Sequence, residues 1–133
     1  HNFSCGENCH ILAEKGQIKF GDNVALNSNV CINASVGGQI VIGNETIIGP
    51  NVVIISHSHI YDDSEISKRK SGHKLSSVKI GHNVWIGSNS VLLYNSGVAN
   101  GSVVGACSLV NKKFHKMGII VGNPAKLIKE LNE

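Results

Sequence analysis

The chain has 133 residues, the size of one domain, so we predict a single domain over residues 1–133. Only 16% of the residues are charged and the formal net charge is +3, so the composition does not suggest a nucleic-acid partner. No apolar run approaches the roughly 18 residues of a membrane span, and no secretory signal is visible. The 15 glycines suit a fold that turns many tight corners.

The N-terminal part of the chain contains a repeat with an offset of 22 residues. Gly16–Asp22, with the sequence GQIKFGD, returns as Gly38–Asn44, with the sequence GQIVIGN, and Cys9 returns as Cys31. We interpret this offset as one coil of about eighteen residues with a bulge of about four residues at one corner. Cys9 is then expected to stack near Cys31 in the next coil.

The chain has four cysteines, and their spacing matches no common zinc pattern. A free cysteine is an ordinary small buried residue. We therefore predict reduced structural thiols and no metal site, which favours a cytoplasmic location. The four residues are Cys5, Cys9, Cys31 and Cys107.

A six-residue period runs from Ile80 to Lys112. Each unit begins with an aliphatic residue and usually has Val or Ser in its fifth place, a pattern typical of a β-solenoid. Each unit would supply one short strand and one corner, with its first and fifth residues directed into the core. The residues expected to open the sides of the successive coils are Phe20, Leu26 and Ile32; Ile42, Ile48 and Ile54; Ile80, Ile86 and Leu92; and Val98, Val104 and Val110.

The period breaks between Ile54 and Ile80. Residues 60–77 are polar and lack an aliphatic rhythm, which predicts one long protruding loop. A loop on a rigid scaffold often carries function. His57 and His59 stand at the entrance of this loop, and an imidazole with a pKa of about 6.5 can act as a general base near neutral pH.

The repeat ends after Val110. Gly122–Ala125 reads as a turn, and Lys126–Leu131 then reads as a short helix whose apolar side includes Leu127. We predict that residues 122–133 cap the open end of the solenoid, which would otherwise expose core and strand edges.

Three segments resemble the hexapeptide-repeat acyltransferases, in particular the sugar and antibiotic O-acetyltransferases. They are Ser58–Asp62 (SHIYD) at the loop entrance, Asn83–Gly87 (NVWIG) and Gly122–Lys129 (GNPAKLIK). The resemblance implies an all-β fold, a three-sided left-handed parallel β-helix. It also implies acetyl-CoA as the acyl donor, a sugar or glycan acceptor, and a homotrimer with each active site between two subunits.

The resemblance also assigns roles to individual residues. His59 would be the general base, with His57 as the alternative, and Trp85, the sixth residue of its unit, would point outward beside the thioester. Coenzyme A contacts are implied for Ser88, Ala106, Asn111, Lys112, Lys126 and Lys129, and acceptor contacts for Asn33, Tyr61 and Asp62. Asn111 replaces the usual Thr, and Lys126 and Lys129 stand where Arg is frequent, so charge is kept without the bidentate fork of a guanidinium group.

The expected reaction is acetyl transfer to a hydroxyl of a sugar or polysaccharide precursor, by direct attack on the thioester. One alternative is N-acetylation of an amino sugar on a nucleotide carrier. A zinc carbonic anhydrase of similar shape would need two His residues five apart, a spacing that this sequence lacks. A non-catalytic solenoid would leave His59, Trp85 and the lysines unexplained. His82 is expected to serve a corner, and His73 and His115 carry no motif.

Overall fold

In the computed structural model, which describes residues 1–62 and 64–132, short strands wind into a three-sided coil. The strands in chain order are β1 (Ser4–Cys5), β2 (His10–Leu12), β3 (Gln17–Phe20), β4 (Ala25–Leu26), β5 (Cys31–Asn33), β6 (Gln39–Ile42), β7 (Ile47–Ile48), β8 (Val53–Ile55), β9 (His57–His59), β10 (His73–Leu75), β11 (Ser77–Ile80), β12 (Trp85–Ile86), β13 (Val91–Leu92), β14 (Gly97–Val98), β15 (Val103–Val104), β16 (Leu109–Val110), β17 (Lys113–Phe114), β18 (Gly118–Gly122) and β19 (Ala125–Glu130).

The three sides of the coil are three stacked sheets. Sheet A has the order β1-β4-β7-β12-β15-β18-β19, sheet B the order β2-β5-β8-β13-β16, and sheet C the order β3-β6-β11-β14-β17. Neighbouring strands are parallel, except that β19 is antiparallel to β18. The hairpin of β9 and β10 is antiparallel and lies outside the three sides. The predicted three-sided parallel β-helix is therefore confirmed.

The predicted register of the core is also confirmed. Ile42 stacks between Phe20 and Ile80, Ile48 between Leu26 and Ile86, and Ile54 between Ile32 and Leu92. The three central isoleucines are fully buried or nearly so. Burying an aliphatic side chain of this size contributes about 1.5–3 kcal/mol, so these three ladders form the main apolar core.

Corner residues have the backbone angles that the sequence suggested. Eight asparagines have φ values of 53° to 60°, in the left-handed region that Asn tolerates better than most residues. They are Asn2, Asn8, Asn23, Asn29, Asn51, Asn83, Asn89 and Asn95. The Asn-rich composition is thus a consequence of the many turns.

The corner between sheets C and A is closed by a ladder of hydrogen bonds. The amide of Asp22 donates to Asn44 Oδ1 at 2.8 Å, and the amide of Asn44 donates to His82 Nδ1 at 2.9 Å. The amide of His82 in turn donates to Asn100 Oδ1 at 2.8 Å. His82 therefore serves the corner, as the sequence suggested.

Insertions gather at a single corner, the one between sheets B and C. The first insertion, residues 13–16, is one residue shorter than the second, residues 34–38. As a result His10, not Cys9, pairs with Cys31, and the expected stacking of Cys9 is wrong by one residue. The third insertion carries the hairpin of β9 and β10, so the protruding loop that we predicted over residues 60–77 contains the paired strand His73–Leu75.

The predicted C-terminal helix is wrong. Residues Ala125–Glu130 form a strand that pairs with β18 and leaves Leu127 against the core. Lys126 points outward and Leu127 inward, and a register shift at Ile128 returns Lys129 to the outer face. β18 offers the segment an unpaired edge. Saturating the hydrogen-bond groups of that edge favours a strand over an isolated single-turn helix. In the part of the chain that the structure describes, no helix is long and apolar enough to cross a membrane.

Candidate functional site

The hairpin at the B–C corner carries three histidines on one face. His59 pairs with His73, and His57 pairs with Leu75, in the antiparallel register of β9 and β10. Residues two apart on a strand share a face, so His57, His59 and His73 lie together. The ring centroids of His59 and His73 are 4.5 Å apart, and those of His57 and His73 are 5.8 Å apart with an interplanar angle of 81°.

His57 and His59 lie in different environments. His57 is half-buried, whereas His59 is exposed. Burial lowers the pKa of His57, and the nearby charges of His73 and His59 lower it further. The Nδ1 atom of His57 is buried, and no described residue gives it a hydrogen-bond partner. These surroundings favour the neutral form of the His57 imidazole.

Beyond the histidines, the loop is organised by a cluster of Tyr61, Asp62 and Lys74. Lys74 Nζ lies 3.2 Å from Asp62 Oδ2 and 5.3 Å from the centroid of the Tyr61 ring. The hydrogen bond from its own backbone amide, followed by Lys74, lowers the pKa of Asp62. Tyr61 is 61% exposed, so its ring is available to a ligand. The predicted acceptor residues Tyr61 and Asp62 thus lie together around Lys74, on the loop that joins β9 to β10.

A recess of about 270 Å³ joins this loop to the body of the coil. Tyr61 lines it together with Leu93, Tyr94, Asn95 and Asn111. Asn111, predicted to contact coenzyme A, therefore lies near the predicted acceptor residues.

Asn33 ends β5 beside Ile55, two residues before His57. Its Oδ1 atom accepts hydrogen bonds from the amide of Ser35 at 2.9 Å and from the Ser35 hydroxyl at 2.7 Å. This oxygen therefore already stabilises the corner turn, and its role toward an acceptor stays a prediction.

Trp85 points outward from sheet A, as predicted, and 56% of it is exposed. In the register of the sheet, Trp85 is followed by Val103, Ile119 and Lys129 along one outer row. Lys126 lies beside this row, opposite Val121. The predicted aromatic and cationic residues thus share one face of sheet A.

Ser88 and Ala106 lie at the adjoining corner between sheets A and B. The amide of Cys107 donates to the carbonyl of Ser88 at 2.9 Å, which ties the two coils together. A Cβ atom placed on Gly87 would approach the amide nitrogen of Ala106 to 2.5 Å, so the coils are in close contact here. Ala106 itself is exposed, which leaves an open strip of backbone at this corner.

The predicted site residues therefore fall into two groups. The first group lies on sheet A or at its corner with sheet B and consists of Trp85, Ser88, Ala106, Lys126 and Lys129. The second group lies along the end of sheet B and at the B–C corner and consists of His57, His59, Tyr61, Asp62, Asn33, Asn111 and Lys112. In a three-sided coil the B–C corner lies opposite sheet A. One chain alone does not bring His59 and Trp85 together.

Sequence reasoning gave no individual role to His73, Lys74 or Tyr94. His73 carries no motif. It lies near His57 only because β9 pairs with β10, although about a dozen loop residues separate these strands in the sequence. The available signal was the position of His73 and Lys74 just before the aliphatic period resumes at Val78. Among the residues that the structure describes, no group of three or more His, Cys, Asp or Glu side chains is placed to hold a metal ion.

No family model matches the chain. Over 57 residues the chain is 40% identical to a chloramphenicol acetyltransferase of Klebsiella aerogenes, which covers 43% of this chain and 27% of that relative. A maltose O-acetyltransferase from Clostridium difficile 630 superimposes with a TM-score of 0.84 at 28% identity, over 98% of this chain and 67% of the other. A hexapeptide-repeat acetyltransferase from Vibrio cholerae, solved with acetyl coenzyme A, gives a TM-score of 0.78 at 26% identity, over 98% and 72% of the two chains.

Fold and side-chain layout together define a left-handed parallel β-helix of hexapeptide repeats. Its relatives, by sequence and by structure, are hexapeptide-repeat acetyltransferases, as the three sequence motifs predicted. The chain spans about a quarter to a third of the length of the curated relatives it matches.

Proposed function

We propose that the chain is an acetyl-CoA-dependent O-acetyltransferase that acts on a hydroxyl of a sugar or polysaccharide precursor. The observation that carries the proposal is the outer row of sheet A from Trp85 to Lys129. Three strand spacings place the Cα atoms of Trp85 and Lys129 about 14 Å apart. That separation suits an extended donor with a thioester at one end and phosphates at the other.

The cationic end of the row would hold the phosphates of coenzyme A. Lys126 and Lys129 are exposed on β19, and neither has a carboxylate partner within 4 Å among the described residues. Lys112 would add a third ammonium group from the B–C corner of a neighbouring chain. Ser88 and Ala106 border the open strip of backbone along which the pantetheine arm would pass, and Asn111 would contact it from the recess.

For the general base we weigh His57 against His59, the residue that the resemblance ranks first. A base must be neutral at the working pH, and the lowered pKa of His57 favours that form. His57 is also half-buried, which limits the positions of its ring, whereas His59 is exposed and contacts the ring of His73. We therefore propose His57 as the base and test His59, the residue favoured by the sequence, beside it.

The proposed reaction uses no covalent acyl-enzyme. His57 Nε2 takes the proton of the acceptor hydroxyl while the oxygen of that hydroxyl attacks the thioester carbonyl carbon. The carbon–sulfur bond then breaks, and the imidazolium returns its proton to the departing sulfur. The products are the acetylated acceptor and coenzyme A, and Tyr61 and Asp62 would orient the acceptor beside the imidazole.

A complete site would need two copies of the chain. The hairpin at the B–C corner of one copy would face sheet A of the next, because the two groups of residues lie on opposite sides of a single coil. Closed cyclic symmetry then gives a homotrimer with three equivalent sites. We further propose that residues 1–133 act as one acyltransferase domain in the cytoplasm, which the four free thiols favour.

An acceptor screen that measures the free thiol released from acetyl-CoA tests the proposal directly. Sugars with hydroxyl groups alone are compared with amino sugars, including nucleotide-linked ones, because faster turnover of the amines would support N-acetylation instead. His57→Ala should lower turnover by roughly 10²–10⁴-fold. A larger loss with His59→Ala than with His57→Ala would return the role of base to His59.

A further inference from the structure

Sheet C carries a row of lysines on its outer face. In the register of the sheet, Gly97 lies between Lys79 and Lys113. Val41 lies between Lys79 and Lys19, so neighbouring lysines of the row are two strands apart, about 10 Å between Cα atoms. All three lysines are exposed, and none has a carboxylate oxygen within 4 Å among the residues that the structure describes. The described chain therefore leaves the positive charge of this row without an ion-pair partner.

A cleft of about 470 Å³ opens between Lys79 and Lys113. Gly97 forms its floor and is buried, although its position on the strand faces outward. The stem of Lys113 lies over this glycine, because its Cγ atom is 3.7 Å from the place that a Cβ atom on Gly97 would take. Asn100 and His115 line the cleft as well. Two flexible lysine stems, one on each side of the floor, can thus direct their ammonium groups to one anion in the cleft.

A second outer row of sheet C is polar and uncharged. Gln17, Gln39 and Ser77 stack in register, each two residues before a position of the lysine row or its continuation. Gln39 Nε2 donates to Gln17 Oε1 at 3.4 Å. Among the described residues, no exposed large apolar side chain occupies an outer position of sheet C. The face thus offers ammonium, amide and hydroxyl groups, without an aromatic ring for base stacking or an apolar group for insertion into a bilayer.

We propose that the outer face of sheet C docks an acidic glycan chain, one that carries carboxylate groups. The ammonium groups bind carboxylates at intervals along the glycan, and the neighbouring polar row binds hydroxyl groups between them. The docked chain leads toward the hairpin of β9 and β10, because Ser77 lines the cleft and follows the end of β10 at Leu75 by two residues. The contact proposed between copies uses the hairpin and sheet A, which leaves sheet C open. This inference rests on the proposed function and names the class of its acceptor.

Equilibrium binding of a fluorescent uronic-acid tetramer tests the inference without any acetyl transfer. The matched ligand is the same tetramer with its carboxyl groups reduced to alcohols, which should bind about tenfold more weakly or worse at low salt. Lys79→Gln with Lys113→Gln removes two charges at similar side-chain size and should raise the Kd of the acidic tetramer roughly three- to thirtyfold. Lys15→Gln with Lys116→Gln, outside the cleft, changes the net charge equally and should leave that Kd within about twofold.

Transfer measurements separate this inference from the proposed function. Lys79→Gln with Lys113→Gln should raise KM for an acidic polymer acceptor, while kcat/KM for a neutral monosaccharide acceptor stays unchanged. If the protein acetylates no acceptor at all, the proposed function fails, but specific binding of the acidic tetramer would still support the docking surface. If the protein acetylates a sugar and the tetramer does not bind, this inference alone fails.

Three further outcomes would overturn the docking surface. Equal binding of the acidic and the reduced tetramer would show that the lysine row does not recognise carboxylates. Equal loss of binding in the two double variants would reduce the effect to net charge. Displacement of the tetramer by saturating acetyl-CoA would place it on the donor lysines of sheet A. Sedimentation of the protein with vesicles of anionic phospholipid, without binding of the tetramer, would make a membrane surface the partner and the glycan assignment wrong.

Discussion

Two inactive variants should restore activity to each other when they assemble together. His57→Ala removes the proposed base from the hairpin, and Trp85→Ala with Lys129→Glu removes both ends of the outer row of sheet A. Because these groups lie on opposite sides of one coil, a site between two copies can combine an intact hairpin with an intact row. If equal amounts of the two variants assemble at random, about three quarters of the trimers contain both variants. In each mixed trimer, one of the three interfaces joins an intact hairpin to an intact outer row. Mixing should therefore recover about one quarter of wild-type activity.

The assay unfolds and refolds the two variants together and follows thiol release from acetyl-CoA. Each variant refolded alone is the control for residual activity, and mixing without unfolding tests whether exchange of subunits is required. Activity that stays at the sum of the two separate variants would refute a site shared between copies. The active site would then have to lie within one chain, although the coil places the two groups of residues on opposite sides.

Three further predictions concern pH, charge and stability. Activity should persist below pH 6.5, because the lowered pKa of His57 delays its protonation as the pH falls; a pH profile of kcat/KM checks this, and an acidic limb above pH 6.5 would contradict it. Lys126→Glu should weaken acetyl-CoA binding and reduce its salt dependence, measured by titration, while a pantetheine donor without the adenosine portion shows no penalty. Thr46→Val should lower the free energy of unfolding by about 1–3 kcal/mol, because Thr46 Oγ1 donates to the Gly81 carbonyl at 3.0 Å and accepts from the buried amide of Val84 at 3.2 Å. Chemical denaturation measures this change, and Thr46→Ser, which keeps the hydroxyl, should cost less.

The coil could be predicted from the sequence because the residues that form its core recur at a fixed period. An aliphatic residue every six positions specifies which side chains are buried, and burial in turn specifies the register of every stacked strand. The Cys9 prediction failed by one residue because a corner insertion has no apolar pattern to specify its length. The helix prediction failed because Lys126–Leu131 is ambiguous by itself, and only the unpaired edge of β18 decides in favour of a strand.

The site was less predictable than the coil because contacts across the hairpin depend on a loop without periodicity. His57 and His59 could be identified as candidates from the loop entrance, and the family resemblance ranked His59 first. Their burial and their contacts with His73 could not be inferred from the sequence, because His73 approaches them only through the pairing of β9 with β10. Trp85 could be placed on the outside because it belongs to a regular unit.

The three outer faces of the coil differ in a way that bears on assembly. On sheet C the outer row alternates between charged and small residues, with Val41 between Lys19 and Lys79 and Gly97 between Lys79 and Lys113. The outer rows of the other two sheets are largely apolar: Ala25, Ile47, Trp85, Val103 and Ile119 on sheet A, and Cys31, Val53, Val91 and Leu109 on sheet B. Apolar faces favour contact between copies, while unneutralised lysines favour water.

This difference predicts which faces meet in the assembly. Val103 and Val41 are both half-buried valines in outward positions, the first on sheet A and the second on sheet C. Val103→Asp should place a carboxylate in the contact between copies and shift the mass measured by light scattering toward one chain, because an unpaired charge is costly to bury. Val41→Asp should leave the mass near three chains, since its carboxylate would lie in water between two lysines. Dissociation by Val41→Asp but not by Val103→Asp would show that sheet C forms the contact, and the proposed pairing of the hairpin with sheet A would then be wrong.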